Sequence, residues 1–319
     1  RLVGSEMCIR DRVAMCGVLL PLAAGTALYI VFYGFDGLGS DSFYHALFMG
    51  CILTATSVSI TVQALRELGH LKTRVGTTIL SAAIIDDVLG IIVLTVITGF
   101  KDASTSPVKV LADTGLFFLF SGVIGYLVYQ VFERMSLRHP RTKRLTVLGL
   151  AFCFLMSYLV EEFFGIADIT GAYVAGLVLS NLRDSDDIER RLDVNSYTLF
   201  GPLFFASVGI STDISAFDTS ILAFSLAFLV VGLLSKIVGC GLMAWICRFK
   251  KEDALKIGVG MMNRGEVALI VSQKGLAVGL MNAAYFPAVI LLIIVSAVVT
   301  PIALKVLYSA YPDAPAEAA

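Results

Sequence analysis

The sequence predicts an all-α protein: a polytopic transmembrane helical bundle with inverted repeats and two broken helices. Three observations carry that reading. The 319 residues are 57% hydrophobic and only 15% charged, against about 25% charged in soluble domains, and the mean hydropathy is +0.86. Apolar runs long enough to span a bilayer recur from end to end. Polar side chains interrupt those runs at only a few places, above all at Asp86 and Asp87 inside SAAIIDDVLGIIVLTVITG.

Ten segments follow in order, at 13–33, 43–64, 75–99, 108–131, 144–164, 166–180 (short), 196–214, 220–247, 254–278 and 284–308. The charges between them set the orientation. Arg66, Lys72 and Arg74 separate the second segment from the third. Arg134, Arg138, Arg141, Lys143 and Arg144 follow the fourth, and Arg183, Arg190 and Arg191 follow the sixth. Arg248, Lys250, Lys251 and Lys256 follow the eighth. The alternate loops hold only Lys101 and Lys109, so the count is fifteen against two. The positive-inside rule puts the fifteen, and the C-terminus, in the cytoplasm. The net charge of −1 gives no indication of a nucleic-acid partner.

The ends read differently. RLVGSEMCIRDR, residues 1–12, has neither a signal peptide's apolar core nor a span. It resembles translated sequencing-adapter read-through and is taken as a non-native leader, with the true beginning missing. Residues 309–319 are expected to form a disordered cytoplasmic tail, PDAPAEAA, with no soluble regulatory domain after it. The six cysteines show no CxxC spacing and read as small buried hydrophobes.

Polar groups at bilayer depth are costly and mark pathways. Asp86 and Asp87 point about 100° apart on a helix, so they cannot face one ion equally. One is expected to face a transport cavity and the other a protein partner. A carboxylate kept from water can exchange a proton for a metal cation. Lys236, deep in ILAFSLAFLVVGLLSKIVGCGLMAWI, either snorkels or pairs with one aspartate, and pairing is favoured. Thr54 to Thr61 carries five hydroxyls in one span. They either bond to carbonyls one turn back or mark an unwound stretch offering oxygen ligands. In MMNRGEVALIV, Arg264 and Glu266 read as a structural ion pair at a helix break that Asn263 and Gly265 tolerate. Asp168 reads as a helix N-cap, and His45, His70 and His139 fall at span ends or in loops.

Segments 1–3 and 8–10 can be laid over each other. Each set has a long leading helix, a polar-interrupted middle one and a trailing helix, and the leading helices run in opposite directions. That is the inverted-repeat arrangement of secondary transporters. With TATSVSITVQALRELG, IIDDVLGII, FGPLFFASVGISTDIS, the lysine of SKIVGCG and MMNRGEVALIV, the chain resembles the monovalent cation:proton antiporter superfamily. The match is to the two-aspartate sodium/proton branch, over residues 13 to about 308.

The resemblance implies a core ion-translocation domain, 13–99 with 220–308, whose two broken helices cross. Residues 100–219 would then be the remainder of a dimerisation domain, and further family helices would precede the first segment. It implies that Asp87 carries the transported Na+ or proton, that Asp86 pairs with Lys236, and that Thr56 and Ser57 at the crossing help coordinate the ion. Asn263, Arg264 and Glu266 would stabilise that crossing. The implied function is electrogenic exchange of Na+ or Li+ for H+ by alternating access, without a cofactor. The setting would be a homodimer in the bacterial inner membrane, in contact with lipid and with no nucleic acid. A K+/H+ antiporter is the nearest alternative; Asp-Asp in place of Gln-Asp and the absence of a nucleotide-binding domain in the sequence favour sodium. An intramembrane aspartyl protease needs its aspartates on two helices, and a channel needs a ring or filter.

Overall fold

The computed structural model describes residues 2–101, 107–138, 143–164, 168–200, 202–203, 206, 210 and 219–312. Every regular element among them is helical. They fall into two compact units, Arg1–Ile97 with Ile214–Ala319, and Thr98–Asp213. Six helices are long and apolar enough to cross a membrane: Cys8–Tyr33, Arg74–Gly99, Gly115–Arg138, Lys143–Phe164, Ile221–Ile246 and Ala283–Ala310.

The first unit contains α1 (Leu2–Tyr33), α2 (Asp41–Ile52), α3 (Val58–Glu67) and all but the last turn of α4 (Arg74–Lys101). The second contains α5 (Pro107–Arg138), α6 (Lys143–Phe164), α7 (Asp168–Ser180) and α8 (Ser185–Asn195). The chain then returns to the first unit with α9 (Thr219–Ile246), α10 (Lys251–Gly260), α11 (Glu266–Ala277) and α12 (Phe286–Ala310). The second and ninth apolar segments are therefore each two short helices, broken at residues 53–57 and 261–265.

In the first unit α1 packs on α9 and α2, and α9 packs on α10 and α12. The half-helices reach across as well, α2 to α11 and α3 to α12. Val13, Leu65, Ile79, Cys240, Ile257, Met261 and Leu304 form one buried apolar cluster, which fixes α4 and the half-helices against α1 and α9. Helix packing at this distance needs small residues. A side chain at Gly50 would meet the Leu22 carbonyl oxygen at 2.3 Å.

The second unit is built on Phe117, Phe132, Phe152, Met156, Leu179 and Ile188. Its other faces are apolar and outward, with Leu119, Phe154, Tyr158 and Phe163 all exposed. Patches of that kind suit lipid contact.

Four features depart from the sequence reading. Residues 2–12 continue the first helix rather than abutting it. Between segments six and seven, where a loop was expected, α8 forms because Ile188 and Leu192 share one face, which packs on the second unit's core. The adjoining side carries Asp187, bonded to Arg190 at 3.3 Å and Arg191 at 2.9 Å. Lys256, read as a loop cation, is 1% exposed on α10. Of the six cysteines only Cys51 and Cys240 are buried. His139, most of the stretch 200–215 and the tail from 313 lie outside the described residues, as does the side chain of Asp168.

Candidate ion-binding site

The two breaks meet, and each satisfies the other's main chain. The Ser57 amide donates to the Asn263 carbonyl at 3.0 Å, and the Asn263 side-chain amide donates back to the Ser57 carbonyl at 3.3 Å. Thr61 donates to the Gly260 carbonyl at 2.9 Å, closing the end of α10. In hydrocarbon such groups have no water to turn to, so unwound backbone survives only where protein supplies the partners. The approach requires glycine at 265, where a side chain would lie 2.6 Å from Ser57 Oγ and 2.7 Å from its Cβ.

Asp86 on α4 faces this crossing and α9 together. Lys236 Nζ donates to Asp86 Oδ1 at 2.6 Å and Oδ2 at 2.7 Å, with both side chains fully buried. Thr56 Oγ1 donates to Asp86 Oδ2 at 2.5 Å. One residue on and about 100° round the helix, Asp87 makes none of these contacts. Its Oδ1 is buried without a hydrogen-bond partner among the described residues. Buried polar atoms are nearly always paired, so an exception in a cluster of this kind points to a ligand.

A second such atom lies at the crossing. Asn263 Oδ1 is also buried without a partner among the described residues. A flip of the amide would not relieve it, because the Ser57 carbonyl requires the nitrogen on its side. The described residues contain no cluster of three histidines, cysteines or carboxylates of the kind that holds a resident metal. Three buried atoms around the crossing lack a partner among the described residues: Arg264 Nε, a donor, and the Asp87 carboxylate and Asn263 amide oxygens, the two oxygens being hard ligands suited to a small hard cation.

Arg264 departs from the sequence reading. The ion pair with Glu266 does not form. The guanidinium, fully buried, reaches the Gly232 carbonyl at 3.3 Å and the Met261 carbonyl at 3.5 Å. Glu266 is exposed, and accepts from Ser57 Oγ at 3.4 Å. Residues two apart do not share a face, so a pair at this spacing cannot close on the start of a helix. Arg264 thereby ties the second break to α9, one turn before Lys236.

Three contributors were not picked out from the sequence. Ser296 on α12 accepts from the Arg264 amide at 3.0 Å and holds the second break; its signal was a lone hydroxyl in an apolar run. Gly232 supplies a carbonyl, and Gly17 supplies space. A side chain at 17 would meet Cys240 Sγ at 2.7 Å, Asp86 Oδ1 at 3.3 Å and Lys236 Nζ at 3.4 Å. Neither glycine has a local sequence signature.

Comparison with known proteins gives the family. The family model described as "Sodium/hydrogen exchanger, transmembrane" matches residues 12–310. The chain is 34% identical over 299 residues to the Na+/H+-K+ antiporter GerN of Bacillus cereus, covering 93% of this chain and 75% of that protein. It is 33% identical over 301 residues to an Na+/H+ antiporter of Enterococcus hirae, covering 92% and 75%. With the high-affinity Na+/H+ antiporter NhaS3 of Synechocystis it shares 32% over 297 residues, covering 91% and 62%. A membrane-spanning bundle of this composition, matched along nearly its whole length, belongs to the sodium/hydrogen exchanger family.

Proposed function

We propose that this chain exchanges Na+ or Li+ for H+ across the membrane by alternating access, with Asp87 as the group for which the two cations compete. The observation that carries the reading is the inequality of the two aspartates: Asp86 holds three donor contacts, whereas Asp87 Oδ1 is buried with no partner among the described residues. An unpaired carboxylate out of water is costly as an anion. Binding either a proton or a metal cation removes that cost, and the site cannot hold both. Competition of this kind couples the two fluxes without a covalent step.

The neighbouring groups have supporting roles in this reading. Lys236 fixes Asp86, so one carboxylate stays charged and oriented while the other exchanges its cation. Thr56 holds Asp86 from the side of the first break, Ser57 and Asn263 hold the breaks together, and the Asn263 amide oxygen is an additional ligand for a desolvated cation. Release of a proton from Lys236 when Asp86 is drawn to the ion would make exchange electrogenic. The homodimer, the dimerisation role of 100–219 and the core role of 13–99 with 220–308 belong to the same proposal. So does placement in a bacterial inner membrane with the C-terminus in the cytoplasm, supported by the fifteen-to-two lysine and arginine distribution and by bacterial relatives.

The name of the Bacillus cereus relative includes K+, which keeps K+/H+ exchange as a second reading. Proteoliposomes containing the purified chain and an internal pH dye separate the two. Na+ and Li+ gradients are expected to move protons and K+ to do so weakly. Proton movement driven by K+ alone would overturn the sodium assignment.

A further inference from the structure

A roomy cavity lies away from the crossing. It holds about 960 Å³ and opens where the α3–α4 turn, the start of α10 and the end of α12 come together. Lys72, Arg74, Lys250 and Lys256 line it, with Glu252 and Asp253 as its acidic members. Asp253 is spoken for inside the wall, its carboxylate 3.5 Å from the buried Lys256 ammonium. Lys72, Arg74 and Lys250 remain as lining cations, with Glu252 as the other acidic member. Lys72 and Lys250 form no ion pair among the described residues, and both are exposed. Arg74 is held in place over the Phe249 ring at 4.5 Å.

The depth of this cavity is also informative. Trp245, the chain's single tryptophan, stands half exposed near the end of α9, and Lys251 Nζ lies 5.9 Å from its ring. Tryptophan with lysine at a helix end marks the membrane–water boundary, and Lys250 is the residue before Lys251. The cavity therefore sits at the level of lipid headgroups, where basic pockets between transmembrane helices take phosphate-bearing groups.

We infer that this cavity is a binding site for a phosphate-bearing anion, a lipid phosphodiester headgroup or a soluble phosphate, gripped by Lys72, Lys250 and Arg74. It is separate from the ion pathway and does not depend on which cation is exchanged. Lys256, already engaged by Asp253 and by the Tyr308 ring at 4.5 Å, forms the floor.

Thermal unfolding of the purified full chain in neutral detergent tests it, with phosphatidylglycerol, phosphatidylcholine or inorganic phosphate added. The variants are Lys72→Gln/Lys250→Gln and, as a charge-matched control outside the cavity, Lys251→Gln/Lys305→Gln. Phosphatidylglycerol is expected to raise the melting temperature above that in phosphatidylcholine for the unaltered chain and the control. The cavity variant should need about thirtyfold more phosphatidylglycerol for the same rise, two lysine contacts having been removed. A rise with inorganic phosphate that the cavity variant loses identifies a soluble ligand instead of a lipid. If neither phosphatidylglycerol nor phosphate raises the melting temperature, or if the cavity variant responds like the unaltered chain, the inference fails. It also fails if the control loses as much as the cavity variant.

Discussion

The two breaks share one backbone solution and carry different chemistry. The first, LTATS at residues 53–57, brings neutral hydroxyls: Thr56 to Asp86 and Ser57 to Glu266. The second, at residues 261–265, brings a buried cation whose hydrogen bonds run to main-chain carbonyls. In lipid the unwound stretches must satisfy their own amides and carbonyls, and here each does so through the other, Ser57 against Asn263 in both directions. Once the backbone problem is solved jointly, the side chains are free to differ. The first break holds the bridged carboxylate, and the second anchors the crossing to α9. The comparison also separates Asp86, which both the first break and α9 grip, from Asp87, which neither does.

The strongest way to break that separation is Asp87→Asn, which keeps the shape and removes the charge. Exchange in proteoliposomes should fall to background while the protein remains folded; pH-dependent exchange that persists would remove Asp87 from the mechanism. Next comes Lys236→Ala, which strands a buried carboxylate. Equilibrium unfolding should show a loss of about 3–5 kcal/mol, and the double variant Lys236→Met/Asp86→Asn should recover most of it. A single variant as stable as the parent would mean that the 2.6 Å bridge contributes nothing.

Arg264→Met probes the other break. It removes the hydrogen bonds to the Gly232 and Met261 carbonyls at a cost of about 1–3 kcal/mol, and Arg264→Lys should rescue only part of that, since a single ammonium cannot reach both as a planar fork does. Full rescue by Arg264→Lys would show that charge alone matters there, and equal losses in the two variants that charge contributes nothing. Thr56→Val probes the first break. It removes one of three donor contacts to Asp86, worth about 1.5–3 kcal/mol for a bond to a charged group, and Thr56→Ser should restore it. Gly275→Ala measures packing around the half-helices rather than polarity. A side chain there would lie 2.1 Å from the Phe48 ring, and overpacking of this kind costs about 1–3 kcal/mol; a neutral result would show that α2 can yield.

Both interruptions were visible as polar residues in apolar runs, yet neither hydroxyls nor an NRG sequence distinguishes a broken helix from a continuous one. Thr54 illustrates why. It bonds to the Cys51 carbonyl at 2.7 Å, the behaviour expected of a threonine in an intact membrane helix, and it does so at the end of a helix that stops. Glu266 illustrates the opposite case, an attractive local partner for Arg264 that the helix start turns away.

The sequence by itself determined the membrane class, the two interrupted segments, the adjacent aspartates and the lysine deep in a span, because hydropathy and the cost of burying charge act locally along the chain. The pairing of Lys236 with Asp86, implied by the family resemblance, is made by tertiary structure, which alone decided that Arg264 turns to carbonyls and that glycines 17, 232 and 265 make room. The lysine and its aspartate are 150 residues apart. Which of two neighbouring carboxylates it meets depends on about 100° of rotation in α4, and that rotation is set by packing against α9 and the crossing, not by anything near Asp86 in the chain.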